Sequence, residues 1–168
     1  MTAETVTRSG QAPLTVGYGY EDATGRRTTL TYPSGAQVSQ SYNPRGDVAA
    51  LTLGGAEIAR FAYGLDGRRT KTIRANGIAT ATTTDAAGQL LALGHTLGTA
   101  TLASTAYELD VAGRRTAKID ESGWTERYRY DAVGQLVSAE YFPTPGARPP
   151  VRQVDYTYDA LGNRERLA

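Results

Sequence analysis

Residues 128–141 read YRYDAVGQLVSAEY, and the fold turns on what this stretch shares with the rest of the chain. Tyr128 and Tyr130 alternate with arginine, the period of two of a strand that shows its faces in turn. Asp131, Ala132, Val133 and Gly134 come next. Asp at the first position and Gly at the last are the preferences of a type I turn. The Asp side chain can accept hydrogen bonds from the turn's own amides, and Gly can take the left-handed conformation of a bulge that sends the chain back. Leu136 to Tyr141 then reads as the return strand, so the stretch is one β-hairpin.

The same pattern recurs along the chain as DATGRR, NPRGDV, GLDGRR, DAAGQL, DVAGRR, DAVGQL and DALGNR. Its anchor glycines are Gly25, Gly46, Gly67, Gly88, Gly113, Gly134 and Gly162, at spacings of 21, 21, 21, 25, 21 and 28 residues. Three residues before them stand Asp22, Asn43, Gly64, Asp85, Asp110, Asp131 and Asp159, with Gly64 the exception. Alternating residues precede the turns: Phe61 and Tyr63, Tyr107 and Leu109, Tyr128 and Tyr130, Tyr156 and Tyr158. A second turn signal follows each of the first six anchors, at Gly35, Gly55, Gly77, Gly98, Gly123 and Gly146. A 21-residue unit therefore holds two strands of about seven residues and two turns, a continuous antiparallel meander with nothing left over for helices. The expected fold is all-β: a single array of about seven hairpin repeats over residues 1–168. Extra residues fall at HTLGTATLASTAY and FPTPGARPPVRQVDY, which read as longer loops or protruding hairpins, at about 94–106 and 142–154. The four prolines from Pro143 to Pro150 forbid regular central strand there.

Composition agrees. The 168 residues include 19 Gly and 11 Tyr with many Thr, a bias toward short strands and tight turns. Eighteen basic against seventeen acidic side chains leave a net charge of +1, with no field to gather nucleic acid or an anionic membrane. There is no cysteine, hence no disulfide and no thiolate metal site. The N-terminal residues lack the apolar core of a signal peptide, and no stretch approaches the ~20 apolar residues of a membrane span.

The units YRYDAVGQLVSAEY and YTYDALGNRERLA resemble the YD repeats of bacterial RHS proteins, of the C component of insecticidal toxin complexes, and of teneurins. The resemblance covers essentially the whole chain. Repeat one departs by an extra residue between Tyr20 and Asp22, and repeat four has Thr82 and Thr84 in place of aromatics. The family implies a curled sheet or partial shell whose repeats coil around a toxin or effector, outside the cell or at its surface. Nothing here matches the family's DPxG-like closing segment, where the effector is cleaved off. Fourteen strands at ~4.8 Å would make a sheet only about 65 Å wide, and closing it would give a tube roughly 20 Å across. That is a wall, not a container. A turn signal at Ser9 and Gly10 ahead of the first anchor, and only six residues after Gly162, suggest an array that continues. The expected partners are the remainder of a parent protein, or other copies joined through open sheet edges.

Chemistry is sparse. His95, the only histidine, reads as an exposed loop residue in LGHTLG with no nucleophile or cysteine at fixed spacing. The recurring aspartates are explained by turn formation rather than by calcium or acid-base work, and no cofactor is implied. The pairs Arg26 and Arg27, Arg68 and Arg69, and Arg114 and Arg115 could form a phosphate stripe. Neighbouring strand residues point to opposite faces, however, so structural ion pairs are favoured. Tyr107, Tyr128 and Tyr156 would form an aromatic column if stacked, a sugar platform if exposed and plain cross-strand packing if buried. The functional expectation is a non-enzymatic structural wall. A carbohydrate- or protein-binding module is the alternative, and a hydrolase comes last.

Overall fold

The structure, a computed structural model, describes residues 2–6, 13–144 and 146–167, with backbone alone at Arg166 and Leu167; the Ser9 and Gly10 turn signal lies outside the described residues. Those residues contain fifteen strands, and no helix long and apolar enough to cross a membrane. The chain forms two compact units, Met1–Ala79 and Thr80–Ala168. In the first lie β1 (Thr2–Val6), β2 (Leu14–Tyr20), β3 (Arg27–Thr31), β4 (Gln37–Tyr42), β5 (Val48–Leu53), β6 (Ala56–Tyr63) and β7 (Arg69–Arg74). Strand β8 (Ile78–Thr84) runs across the division. The second holds β9 (Leu90–Leu97), β10 (Ala100–Leu109), β11 (Arg115–Asp120), β12 (Thr125–Tyr130), β13 (Leu136–Phe142), β14 (Arg152–Tyr158) and β15 (Arg164–Leu167). From β1 to β7, and again from β9 to β15, each strand pairs antiparallel with the next, as a two-turn repeat requires.

The anchor turns share one hydrogen-bonding scheme. The amide of Gly134 donates to the Asp131 carbonyl at 3.1 Å, and the Asp131 amide donates to the Gln135 carbonyl at 3.0 Å. The pattern repeats at Asn43, Gly64, Asp85, Asp110 and Asp159. Next to it the ladder slips by one residue, between Ser41 and Tyr42, Ala62 and Tyr63, Glu108 and Leu109, Arg129 and Tyr130, and Thr157 and Tyr158. This is a type I turn closed by a glycine bulge, and it sets the register of every hairpin in which it occurs. All seven anchor glycines have φ between +68° and +92°.

Of the two alternatives for residues 94–106, the structure has the hairpin and not the open loop: they lengthen β9 and β10, which pair from Leu97 and Ala100 to Ala92 and Ala106 around a turn at Gly98. The reading of His95 as an exposed loop residue needs correction. His95 accordingly sits in a half-buried strand, and its Nδ1 lies 3.0 Å from the Thr80 hydroxyl. The Pro-rich insertion does leave the sheet after Phe142 and rejoins it at Arg152, with a cis bond between Arg148 and Pro149.

The sheet has little core. Among the described residues the buried apolar side chains are Ala117, Ala139, Phe142 and Val154, all in the second unit. Among the large apolar side chains the greatest exposures belong to turn residues, with Leu65, Val111, Val133 and Leu161 at 80% or more. The turns must therefore supply stability that a thicker protein draws from burial. Gly67 tests this cleanly, because a Cβ there would meet nothing within 4 Å and only its φ of +80° resists substitution. Gly67→Ala is expected to cost about 1–2 kcal/mol in urea unfolding. Gly113→Ala should cost about as much, since the Gln89 amide that its Cβ would meet is the free end of a flexible side chain.

Candidate functional site

The residues that recur in the sequence meet at the sheet edge that carries the anchor turns. In each turn a carboxylate or amide oxygen satisfies backbone donors that the reversal would leave bare. Asp110 Oδ1 accepts from the amides of Ala112 and Arg114, both at 2.9 Å. Asp131 accepts from Val133 and Gln135, Asp159 from Leu161 and Asn163, Asn43 from Arg45 and Asp47, and Asp85 from Gln89. In repeat three, where Gly64 replaces the aspartate, Asp66 takes over and accepts from the Arg68 amide at 3.0 Å. In repeat one the extra residue moves the closure to the Glu21 carbonyl, and Thr24 rather than Asp22 accepts from the Arg26 amide.

The second tyrosine of the Y-x-Y-D pattern has a separate task. The Tyr130 hydroxyl donates to the Arg115 carbonyl at 2.8 Å, Tyr63 to Val48 at 2.8 Å, Tyr158 to Leu136 at 2.8 Å and Tyr42 to Arg27 at 2.6 Å. In each case the acceptor lies at the start of the preceding strand, two residues beyond the last backbone pair of that ladder. The hydroxyl thus satisfies a carbonyl at the splayed end of the ladder and ties one anchor turn to the next. Sequence reading found the tyrosines by their period but not this acceptor, which belongs to the neighbouring repeat.

Arginine and glutamine one residue after the anchor glycine form a second link. Arg26 lies over Gly46, Gln89 over Gly113, Arg114 beside Gly134 and Gln135 beside Gly162. The glycine is needed for its φ, and its bare surface gives these flexible side-chain ends room. Arg114 is held from both sides, with its Nε 2.7 Å from Asp110 and its guanidinium 4.9 Å from the Tyr130 ring centre. Arginines two residues after the anchor cover aromatic rings: Arg69 over Phe61 at 5.3 Å, Arg115 over Tyr107 at 3.9 Å and Arg164 over Tyr156 at 5.6 Å. The paired arginines therefore serve the edge mainly through rings and turns. The ion pairs they make, Arg68–Asp66 and Arg114–Asp110, lie within a single turn and not with carboxylates of adjacent hairpins.

The aromatic column does not form. Tyr107, Tyr128 and Tyr156 lie on β10, β12 and β14, with β11 and β13 between them. Tyr107 opposes Lys118, which opposes Glu126, then Tyr141, then Arg152. Tyr128 opposes Ala139. The row is a charge relay of ordinary structural kind: Lys118 Nζ lies 2.9 Å from Glu126, whose other oxygen accepts from the Tyr128 hydroxyl at 2.6 Å. Burial and that hydrogen bond push the Tyr128 phenol well above its usual range. Burial also pulls Glu126 upward, but its bonds from Tyr128 and Lys118 together hold it below the usual carboxylate range. Among the described residues no three His, Cys, Asp or Glu side chains gather as a metal site.

Two measurements follow from the edge. Each of Tyr63→Phe, Tyr130→Phe and Tyr158→Phe should lose about 1 kcal/mol in urea unfolding, because the carbonyl partner is left bare, and Tyr63 and Tyr158 should add. Tyr107→Phe, whose hydroxyl makes no such bond, should change little. Acid should loosen the turns. The Arg114 amide holds the Asp110 carboxyl below its usual range, and the Asn163 side-chain amide does the same for Asp159. A depressed folded pKa contributes stability that is present above the unfolded value, ~3.9, and is lost as pH falls through the folded one. The urea midpoint should therefore hold down to about pH 4 and drop below it. Asp110→Asn, which keeps the amide acceptor, should flatten that drop.

Comparison with known proteins places this architecture. Residues 110–142, which span the fifth anchor turn, the sixth and the strands between them, match the family model described as RHS Repeat. No curated protein matches the chain. Among solved structures, a chain of the crystal structure of TcdB2-TccC3-Cdc42 shares the fold with a TM-score of 0.72 at 22% identity, over 94% of this chain and 9% of that one. A chain of TcdB2-TccC3-TEV does so with a TM-score of 0.72 at 19% identity, over 98% of this chain and 10% of that one. The chain thus spans about a tenth of the length of the chains it is similar to. Residues 110–142 match the RHS repeat, and the hairpin array that contains them shares its fold with these long chains.

Proposed function

We propose that this array is a non-enzymatic segment of wall in a larger shell, of the kind that encloses a toxin or effector outside the cell or at its surface. The observation that carries the reading is the tyrosine-clamped turn edge. Side chains that repeat along the sequence are spent on joining one hairpin to the next, which is the task of a wall. The fold shared with long toxin-complex chains, of which this chain matches about a tenth, supports the same reading. So do the tyrosine rings. Arg115 lies over Tyr107 and Arg164 over Tyr156, while the Tyr128 hydroxyl is bound to Glu126, an arrangement of cross-strand packing rather than an open sugar platform.

A wall segment draws on the rest of its shell. Its half-exposed faces and outer strands, such as β1 with every residue exposed, are surfaces that neighbouring strands of a parent protein or of a second copy would cover. Limited proteolysis of the protein that carries the array tests the proposal. Enclosure predicts that a segment outside the repeats resists protease while the array is folded and is cut once denaturant opens it. If that segment is cut at once while the repeats stay intact, the array encloses nothing and the wall reading fails.

A further inference from the structure

The chain has three asparagines, and one of them stands apart from the others. Asn43 precedes Pro44, whose nitrogen carries no proton, and its side-chain amide donates to Asp47 at 3.0 Å. Asn163 precedes Arg164, and its side-chain amide donates to Asp159 at 2.9 Å. Asn76 precedes Gly77 in the turn between β7 and β8, where residues 74–77 are all exposed. Its Oδ1 accepts from the Ile78 amide at 3.1 Å, a bond that holds the carboxamide against the backbone of its own turn. Its Nδ2 has no partner among the described residues. Gly77 carries no side chain to screen its nitrogen, and a single bond, from that nitrogen to the Arg74 carbonyl at 2.8 Å, closes the turn.

A second turn of the same molecule has the acid in this place. In residues 64–67 the third position is Asp66, again followed by glycine. The Arg68 amide donates to Asp66 Oδ1 at 3.0 Å as the Ile78 amide does to Asn76, and Gly67 and Gly77 share a φ of +80°. The Gly67 amide closes its turn on the Gly64 carbonyl at 3.1 Å. A carboxylate at position 76 therefore suits a turn that this chain already builds. Asp66 itself has no good leaving group. The Arg68 amide and guanidinium hold its carboxyl below the usual carboxylate range, so it is ionised.

We infer that Asn76 is a modification site, where spontaneous deamidation turns a neutral side chain into an acid. The Gly77 nitrogen gives its proton to a solvent base and bonds to Asn76 Cγ. The Cγ–Nδ2 bond breaks, Nδ2 takes up a proton and leaves as ammonia, and a five-membered imide remains. Water then adds to either imide carbonyl and reopens the ring to aspartate or to isoaspartate. The sum is one water consumed and one ammonia released, with no change of oxidation state. Aspartate keeps the turn in the form that Asp66 has. Isoaspartate lengthens the main chain by a methylene just before β8 begins. The site needs only the exposed turn, so it stands or falls apart from the wall reading.

Incubation of the whole folded chain at physiological pH and temperature, followed by tryptic digestion and mass spectrometry, tests the site. Each asparagine falls in a peptide of its own, 28–45, 75–114 or 153–164. Peptide 75–114 should gain, over time, the mass difference between an amide and an acid, while the other two keep their masses. Enzymatic methylation of isoaspartate should label 75–114 alone. Asn76→Ser should abolish both signals, and serine can accept the amide two residues on, as Ser34 does from Ala36. Should that variant unfold, fragment spectra of the parent peptide that place the gain within residues 75–77 serve instead. Asn76→Asp, the direct product, should keep the circular dichroism of the parent, and its unfolding would overturn the match to the Asp66 turn. The chain unfolded in urea is the positive control. Conversion of 75–114 in urea but not in the folded chain would mean that the turn protects Asn76, and the inference fails. Equal gain in 153–164, or a gain that persists in folded Asn76→Ser, would overturn it as well.

Discussion

A single bond, from a tyrosine hydroxyl to the carbonyl at the start of the preceding strand, keeps the repeats in step. Between successive anchor turns the backbone ladder stops short, because the glycine bulge displaces the chain by one residue and the strand ends diverge. A carbonyl at that open end would otherwise lose its partner, at a cost comparable to a hydrogen bond. The tyrosine supplies the donor from a rigid ring, so little rotamer freedom is given up. The same bond joins Tyr158 to Leu136 across 22 residues and Tyr130 to Arg115 across 15. Seven added residues, prolines included, are expelled as a loop between β13 and β14 while the edge geometry stays constant. Where a tyrosine precedes the turn, the clamp keeps this geometry across the longer insertion; the repeat that ends in Leu109 does without it.

A sheet held this way does not need a thick core. Four apolar side chains are buried among the described residues, and most strand positions are half-exposed. The compensation is local and polar. Turn aspartates saturate the amides of their own reversal, guanidinium groups lie on rings and on bare glycine backbone, and no buried side-chain nitrogen or oxygen among the described residues lacks a partner. Each contribution is of the order of 1 kcal/mol or less, so they matter because they recur. Repetition stands in for burial, and each hairpin draws on its neighbours as repeat architectures do.

Much of this was legible from residue types and spacing. Asp or Asn three residues before Gly announced the turn, alternation announced the strand, and the 21-residue period announced the meander. What escaped the sequence was interaction between repeats. Tyr63 and Tyr130 could be placed on strands, but the carbonyls of Val48 and Arg115 carry no side-chain signature. The run of Arg26, Gln89, Arg114 and Gln135 one residue after the anchors was visible, yet its target is the absent Cβ of the next glycine. The tyrosine column failed for a related reason. A period of one tyrosine per repeat is a period of two strands, so Lys118 and Ala139 intervene on β11 and β13. His95 was misplaced because the insertion around it kept strand alternation and paired as a longer hairpin.

The departures from the repeat are then more informative than the repeat itself. A regular unit spends its charged and aromatic groups on its neighbours and has few left for a ligand. Repeat three shows how fully the scheme can absorb a change: Gly64 removes the aspartate, and Asp66 restores an acceptor two residues on. Repeat one is not absorbed in the same way. Its added residue puts Glu21 where the turn aspartate stands elsewhere, and Arg26 has no ion pair among the described residues such as Arg114 has with Asp110. The irregularity that disturbs this turn thus shifts its hydrogen bonds by one residue, onto the Glu21 carbonyl and the Thr24 hydroxyl.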